Sequence, residues 1–195
     1  TDIGIELGFF NNDLTLSLDY FVKKNVDLLA QIDLNLSSGQ IFEINSSREK
    51  PYVNTASVKN TGWEFMMNYR KQLTKDFHID ATFNIATLKN KVLSLGENVQ
   101  PITSGAMSSY FNDAASITMP GEAIGSFYGY KIDGFDAEGN FIFADTDKNG
   151  VVNANDKVIL GSPIPDFTYG LNINMEYKDF DLTVFFQGVQ GNDIF

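Results

Sequence analysis

Apolar and polar residues alternate with a period of two along much of this chain, the spacing of strands that present one greasy and one wet face. Leu14, Leu16, Leu18 and Tyr20 share one face, with Thr15, Ser17 and Asp19 on the other. Trp63, Phe65, Met67 and Tyr69 alternate with Glu64, Met66, Asn68 and Arg70, only Met66 breaking the polar side. Phe77, Ile79, Ala81, Phe83 and Ile85 alternate with His78, Asp80, Thr82, Asn84 and Ala86. Tyr169, Leu171, Ile173, Met175 and Tyr177 alternate with Gly170, Asn172, Asn174 and Glu176, and Leu182, Val184 and Phe186 continue the theme. A weaker strand over Ile3 to Phe9 makes six; no amphipathic helix or internal repeat competes with them.

The connections are of two kinds, in alternation. Asn11 to Asp13, Arg70 to Asp76 and Lys178-Asp179 are short and polar, whereas Lys23 to Ser57 and Leu88 to Phe167 are long. Antiparallel strands joined this way place every short turn at one end and every long loop at the other, as in outer-membrane barrels. A soluble antiparallel sandwich would alternate in the same manner. Three details favour the membrane barrel: the one-sided short turns; aromatics gathered at strand ends (Tyr20, Phe21, Tyr69, Phe77, Phe167, Tyr169, Tyr177 and Phe180); and a polar face carrying Asp19, Glu64, Arg70, Asp80 and Glu176. Aromatic girdles and a wet lumen account for the last two.

Composition narrows the function classes. Lys+Arg 14 against Asp+Glu 25 gives a net charge of −11, which leaves no surplus of cations to neutralise nucleic-acid phosphates. Cysteine is absent, so thiolate metal sites and cysteine nucleophiles are excluded. No run approaches the roughly 20 apolar residues of a spanning helix, but a spanning strand needs only about 9 to 11 and escapes hydropathy scans.

One segment has cation-ligand spacing. Asp145, Asp147, Asn149, Gly150, Val151, Asn153 and Asp156 occupy positions 1, 3, 5, 6, 7, 9 and 12 of a calcium loop: oxygen donors at 1, 3 and 5, a carbonyl at 7, a carboxylate at 12, and Gly where the loop turns sharply. Asp156 stands where an EF-hand carries a bidentate Glu, and no helices flank the loop. A plain turn is the competing reading, since Asp, Asn and Gly fill turns for local hydrogen-bonding reasons. If calcium binds, its expected role is to order an external loop. His78, the only histidine, has no partner at catalytic spacing, and Ser104, Ser108 and Ser109 lack a GxSxG context, so no enzyme is expected. Gly121, Gly125, Gly129 and Gly134 do not form a phosphate-binding GxGxxG and are expected at turns and bulges, with Phe127, Tyr128 and Tyr130 packing among them. Trp63 is expected to face lipid or join a girdle.

The stretches VKNTGWEF (58 to 65), KNKVLSLG (89 to 96), GEAIGSFYGY (121 to 130), the 145 to 156 loop and the run from Gly161 to Gly191 resemble, in order and spacing, the C-terminal barrel region of SusC/RagA-family TonB-dependent outer-membrane receptors. The resemblance implies an all-β fold, antiparallel strands from the C-terminal part of a large transmembrane β-barrel of roughly 22 strands, with long extracellular loops at about 23–57 and 88–167. It implies residues 1–195 are one partial barrel domain, without the plug and without the final strands. Six strands cannot close such a barrel, and an open edge in lipid would cost several kcal/mol per unpaired backbone group. The function implied is import of a glycan or peptide across a Gram-negative outer membrane, with a SusD-like lipoprotein as lid and TonB as the drive. Asp19, Glu64, Asn68, Asp80, Asn84, Asn172, Asn174 and Glu176 are the candidates for lining the lumen. The rival is a soluble cell-surface calcium-binding β module for carbohydrate binding or adhesion, whose apolar faces would meet in a core.

Overall fold

The computed structural model describes residues 1–31, 52–96, 99–106 and 114–194. It contains two compact units, each built from several stretches of chain.

The first unit comprises Thr1–Lys23, Asn60–Asn90 and Ile164–Ile194. Its strands are those expected from the alternation: β1 (Asp2–Phe9), β2 (Leu14–Gln31), β3 (Tyr52–Thr74) and β4 (Phe77–Thr87), then β12 (Phe167–Tyr177) and β13 (Phe180–Gln190). They form one sheet in the order β1-β2-β3-β4-β12-β13, with β5 (Lys89–Ser94) also pairing β3. β2 and β3 extend well into the stretch expected as the loop 23–57, and their distal halves belong to the second unit. The alternation hides this, because Lys23-Lys24 and the polar run around Lys59-Asn60 break the apolar face while the backbone ladder continues.

Tight turns close one end of this sheet. Phe10, Asn11 and Asn12 all have positive φ, at 54°, 58° and 68°, a run that two asparagines make affordable because their short amides tolerate the left-handed region. Lys75-Asp76 joins β3 to β4, and Lys178, with φ 57°, joins β12 to β13. The Lys178 N–H donates to the Asp76 carbonyl at 2.9 Å, stitching neighbouring turns.

The second unit comprises Lys24–Lys59 and Lys91–Pro163. Among its described residues, the stretch expected as one long external loop, 88–167, carries seven strands, short enough that a period of two has little room to show. β6 (Ile102–Ala106), β7 (Ala114–Thr118), β8 (Ser126–Tyr130) and β11 (Lys157–Gly161) form a sheet in the order β11-β8-β7-β6, and β9 (Ile132–Phe135) pairs with β10 (Phe141–Phe143) as a hairpin. Gly121 and Gly125 stand in turns at φ 100° and 67°, as expected, while Gly129 and Gly134 lie within β8 and β9. Ser104 is in β6, its hydroxyl 2.9 Å from that of Ser116; Ser108 and Ser109 lie outside the described residues. Ala56, Val58, Val92 and Leu95 are buried together, with Leu28 and Val99 packed against them. Every buried apolar side chain among the described residues belongs to this second unit.

Candidate functional site: a two-faced wall and an acidic loop

The registers of the first unit carry each strand's apolar positions onto a single face. Leu7 opposes Leu16 and Ile5 opposes Leu18. Met67 opposes Phe83, Phe83 opposes Leu171, and Leu171 opposes Phe186. Ala81, Ile173 and Val184 form the next row, and Ile79, Met175 and Leu182 the one after. Nothing within the unit covers this face: Trp63 is 51% exposed, Leu182 55% and Phe186 57%. A continuous apolar sheet face of this extent is not left in water by a soluble domain.

Aromatics bound the face above and below. Tyr20 and Trp63 meet at 4.7 Å, their rings tilted by 44°, toward the end opposite the tight turns, in the row where Thr87 pairs with Phe167. At the turn end Phe77 meets Tyr177 edge-on at 6.3 Å, Phe180 pairs with Tyr177, and the Lys178 ammonium lies 5.3 Å from the Tyr177 ring centre. Amphipathic rings with a lysine at the margin are what a membrane interface selects. Phe21 departs from the expected girdle, because the strand alternation turns it to the opposite face, where it lies over Gly62.

That opposite face holds all eight lumen candidates, Asp19, Glu64, Asn68, Asp80, Asn84, Asn172, Asn174 and Glu176. A chain of donations crosses three strands: Thr82 Oγ1 donates to Asn68 Oδ1 at 2.9 Å, and Asn68 Nδ2 to Thr15 Oγ1 at 3.5 Å. Nearer the turns, Arg70 grips Asp80 through Nε at 2.9 Å and a terminal nitrogen at 2.8 Å. Ser17 donates to Asp19 at 2.8 Å, and Thr183 to Asn174 at 2.8 Å. His78 pairs across the sheet with Glu176 and Gln72. Asn172 faces Thr82 on one side and Phe185 on the other, and its Oδ1 is buried without a hydrogen-bond donor. Asn12, Asp13, Thr15, Asn68, Arg70, Asp80 and Thr82 line a depression of about 380 Å³. The partners missing from the sequence-derived set, Thr15, Arg70, Thr82 and Thr183, carried the same signal as those in it: a polar position in the alternation.

Glycines on these strands make room for larger neighbours. A Cβ at Gly188 would collide with the Tyr169 ring directly across the pair, and one at Gly62 with the Thr87 carbonyl and the Phe21 ring. Tyr169 therefore lies flat over the strand beside it, a pairing that shields exposed backbone.

In the second unit the acidic loop brings three of its expected ligands together: carboxylate oxygens of Asp145, Asp147 and Asp156 lie within 4.8 Å of one another. That spread suits a hard cation bound at about 2.3 to 2.6 Å from each oxygen. Asp156 is fully buried and accepts from the N–H of Thr146 at 2.7 Å and that of Asn153 at 2.8 Å. These bonds, led by that from Asn153, hold its carboxyl below the usual range against the opposing effect of burial. Asp145 accepts from the N–H groups of Asn149 and Gly150, at 3.1 and 2.7 Å, folding the loop around itself, with Gly150 at φ 86°. Asn149 Oδ1 takes the Val151 N–H at 2.8 Å. Asn153 serves the backbone instead of the cluster, capping the short 3-10 turn Ala154–Asp156 and donating to the Val151 carbonyl at 3.0 Å. The donor set and its convergence fit calcium through the three aspartates; the loop residues between them supply turn geometry.

A strongly patterned antiparallel sheet with one uncovered apolar face and one polar face is the architecture of a segment of a large membrane barrel. Comparison with known proteins agrees. No family model matches the chain. It is 35% identical over 209 residues to TonB-dependent receptor P3 of Formosa agariphila, covering 99% of this chain and 20% of that protein. It is 30% identical over 194 residues to TonB-dependent receptor SusC of Bacteroides thetaiotaomicron, covering 92% of this chain and 18% of SusC. Among solved structures, the RagAB peptide importer in its open-open state superposes with a TM-score of 0.77 at 21% identity, over 98% of this chain and 20% of the other. The RagAB peptide transporter gives 0.71 at 21%, over 97% and 20%. The likeness to TonB-dependent receptors of the SusC/RagA kind, and the all-β barrel-segment fold, are thereby shown. The chain spans about 20% of the length of these relatives.

Proposed function

We propose that this chain is a length of barrel wall, with its external excursion, from an outer-membrane importer of glycans or peptides. The observation that carries the reading is the uncovered apolar face of the first unit, bounded by Tyr20 and Trp63 at one margin and Phe77, Tyr177 and Phe180 at the other. Lipid is the solvent such a face requires, and the polar face then lines the lumen. The relatives are named as receptors and transporters. The soluble module is disfavoured because its apolar faces would be buried in a core.

By analogy with SusC and RagAB, a SusD-like lipoprotein would close the external side, TonB would drive import, and a glycan or peptide would be the cargo. Calcium held by Asp145, Asp147 and Asp156 would fix the excursion's fold and take no part in translocation. The test is uptake by cells whose only copy of the full-length receptor is deleted and then restored. Loss of growth on one glycan or peptide source, regained only in the presence of TonB, supports the proposal; undiminished growth on every such source refutes it.

A further inference from the structure

Asn149-Gly150 is the one Asn-Gly pair in the sequence, and both residues stand exposed in the acidic loop. An asparagine followed by glycine can close on itself. The glycine nitrogen attacks the asparagine side-chain carbon Cγ, and the lack of a glycine side chain leaves that nitrogen open to approach. Both reacting groups are suited to it here. Nothing lies within 4 Å of the position that a Cβ on Gly150 would take. Asn149 Oδ1 accepts from the Val151 N–H at 2.8 Å, which polarises the carbonyl under attack.

The closed loop nevertheless withholds the nucleophile. The Gly150 N–H is donated to Asp145 Oδ2 at 2.7 Å, and Asn149 Nδ2, the leaving group, donates to Asp147 Oδ2 at 2.8 Å. The Asn149 N–H is shared between Asp145 and Asp147 at 3.1 and 3.0 Å. Ring closure has to strip the first two bonds. It also builds negative charge on the Gly150 nitrogen beside two carboxylates, which oppose it. The fastening of the loop lies at a different residue, the fully buried Asp156, which accepts from the N–H groups of Thr146, Asp147 and Asn153 at 2.7, 3.3 and 2.8 Å.

We propose that Asn149-Gly150 is a self-modification site held in check by the loop's own fold, so that its chemical state records how long the loop has been open. In the open loop the Gly150 nitrogen bonds to Asn149 Cγ and gives up its proton, which departs with the side-chain amide as ammonia when the Cγ–Nδ2 bond breaks. Water then adds to either carbonyl of the five-membered imide and breaks that carbonyl's bond to nitrogen. The product is an aspartyl link or, through the side-chain carbon, an isoaspartyl one. Water is consumed, ammonia released and one negative charge added, with no change of oxidation state. An isoaspartyl link adds a methylene to the main chain, so the Gly150 N–H no longer meets Asp145 through the same turn and the loop does not re-form. The inference rests on neither the import reading nor a bound cation.

The test follows purified full-length receptor in a chelating buffer at neutral pH, sampled over time, digested, and scored by mass spectrometry for aspartyl and isoaspartyl peptides at position 149. Conversion of the wild type is expected to be about tenfold or more slower in the folded receptor than in urea, because only the opened fraction reacts. Asp156→Asn, which weakens the fastening without touching Asn149 or Gly150, is expected to speed conversion in the folded receptor about tenfold. Gly150→Ala added to Asp156→Asn is expected to remove that gain, since a Cβ shields the nitrogen even in an open loop. Equal rates for folded and urea-unfolded wild type would show that the loop withholds nothing, and no conversion in urea would show that the pair does not react; either overturns the proposal. So does an Asp156→Asn rate no higher than that of the wild type. The folded-against-urea comparison needs no variant and decides the matter even where Asp156→Asn fails to assemble.

Discussion

Placing an arginine on the apolar face should cost stability in proportion to depth, and the structure supplies the scale. Tyr169 and Tyr177 are eight residues apart on β12, about 26 Å along a strand rising roughly 3.3 Å per residue. A strand tilt of about 40° reduces this to about 20 Å along the membrane normal, close to the apolar band of an outer-membrane barrel. Ile173 lies midway, opposite Ala81 and Val184, about 10 Å from either ring level. Ile173→Arg should therefore cost about 2 to 4 kcal/mol and Tyr177→Arg about 0 to 1, with Met175→Arg between them. The assay is the urea midpoint of the full-length receptor folded into lipid vesicles. A protein core would penalise arginine heavily wherever the residue is packed, and water would penalise none; equal costs at the three positions would refute the lipid-facing assignment.

Other expectations follow from the same geometry. Asn172→Leu removes a buried acceptor that has no donor, so it should leave the urea midpoint unchanged or raised, whereas Asn68→Leu, which breaks two hydrogen bonds, should cost about 1 to 3 kcal/mol. Gly188→Val drives a side chain into the Tyr169 ring and should cost about 1 to 3 kcal/mol by the same measure; Thr183→Val, which has no such clash, should cost less. The carboxyls of Asp136 and Asp156 are both held low by backbone and side-chain hydrogen bonds. A depressed folded-state pKa gives stability that is present above the unfolded value near 3.9 and lost as pH falls through the folded one. Hydrogen exchange over residues 131–156 should thus be slow and flat from pH 7 to 5, after correction for intrinsic rates, and should accelerate below about pH 4. Calcium should protect the same residues and EDTA should expose them; exchange indifferent to calcium would leave the acidic loop a self-bonded turn.

How much of this was legible beforehand varies with strand length. Six strands and both faces of the first unit could be read because 8 to 23 residues give a period of two room to repeat, and every lumen candidate fell on the polar face. The distal halves of β2 and β3 could not, since Lys23-Lys24 and the polar run around Lys59-Asn60 interrupt the apolar alternation while the strands themselves run on. Strands of three to six residues within 88–167 left no usable period, so SFYGY looked like glycine turns although Gly129 sits mid-strand, a Cβ there only crowding Leu160. In the acidic loop the spacing pointed to the aspartates that converge, and Asn153, expected as a ligand, has its side chain capping a turn; ligand and cap call for the same residue types, so spacing alone does not separate them.

The most direct test of the central claim is the solvent each face meets. Single cysteines at Leu16, Phe83 and Ile173, and at Thr15, Thr82 and Asn172, should be placed in the full-length receptor and labelled in intact membranes with lipid-soluble and aqueous reagents. The account requires the first three to react only with the lipid-soluble reagent and the second three with the aqueous one. Shielding of Leu16, Phe83 and Ile173 from both would mean the apolar face meets protein, and the barrel-wall reading would fall.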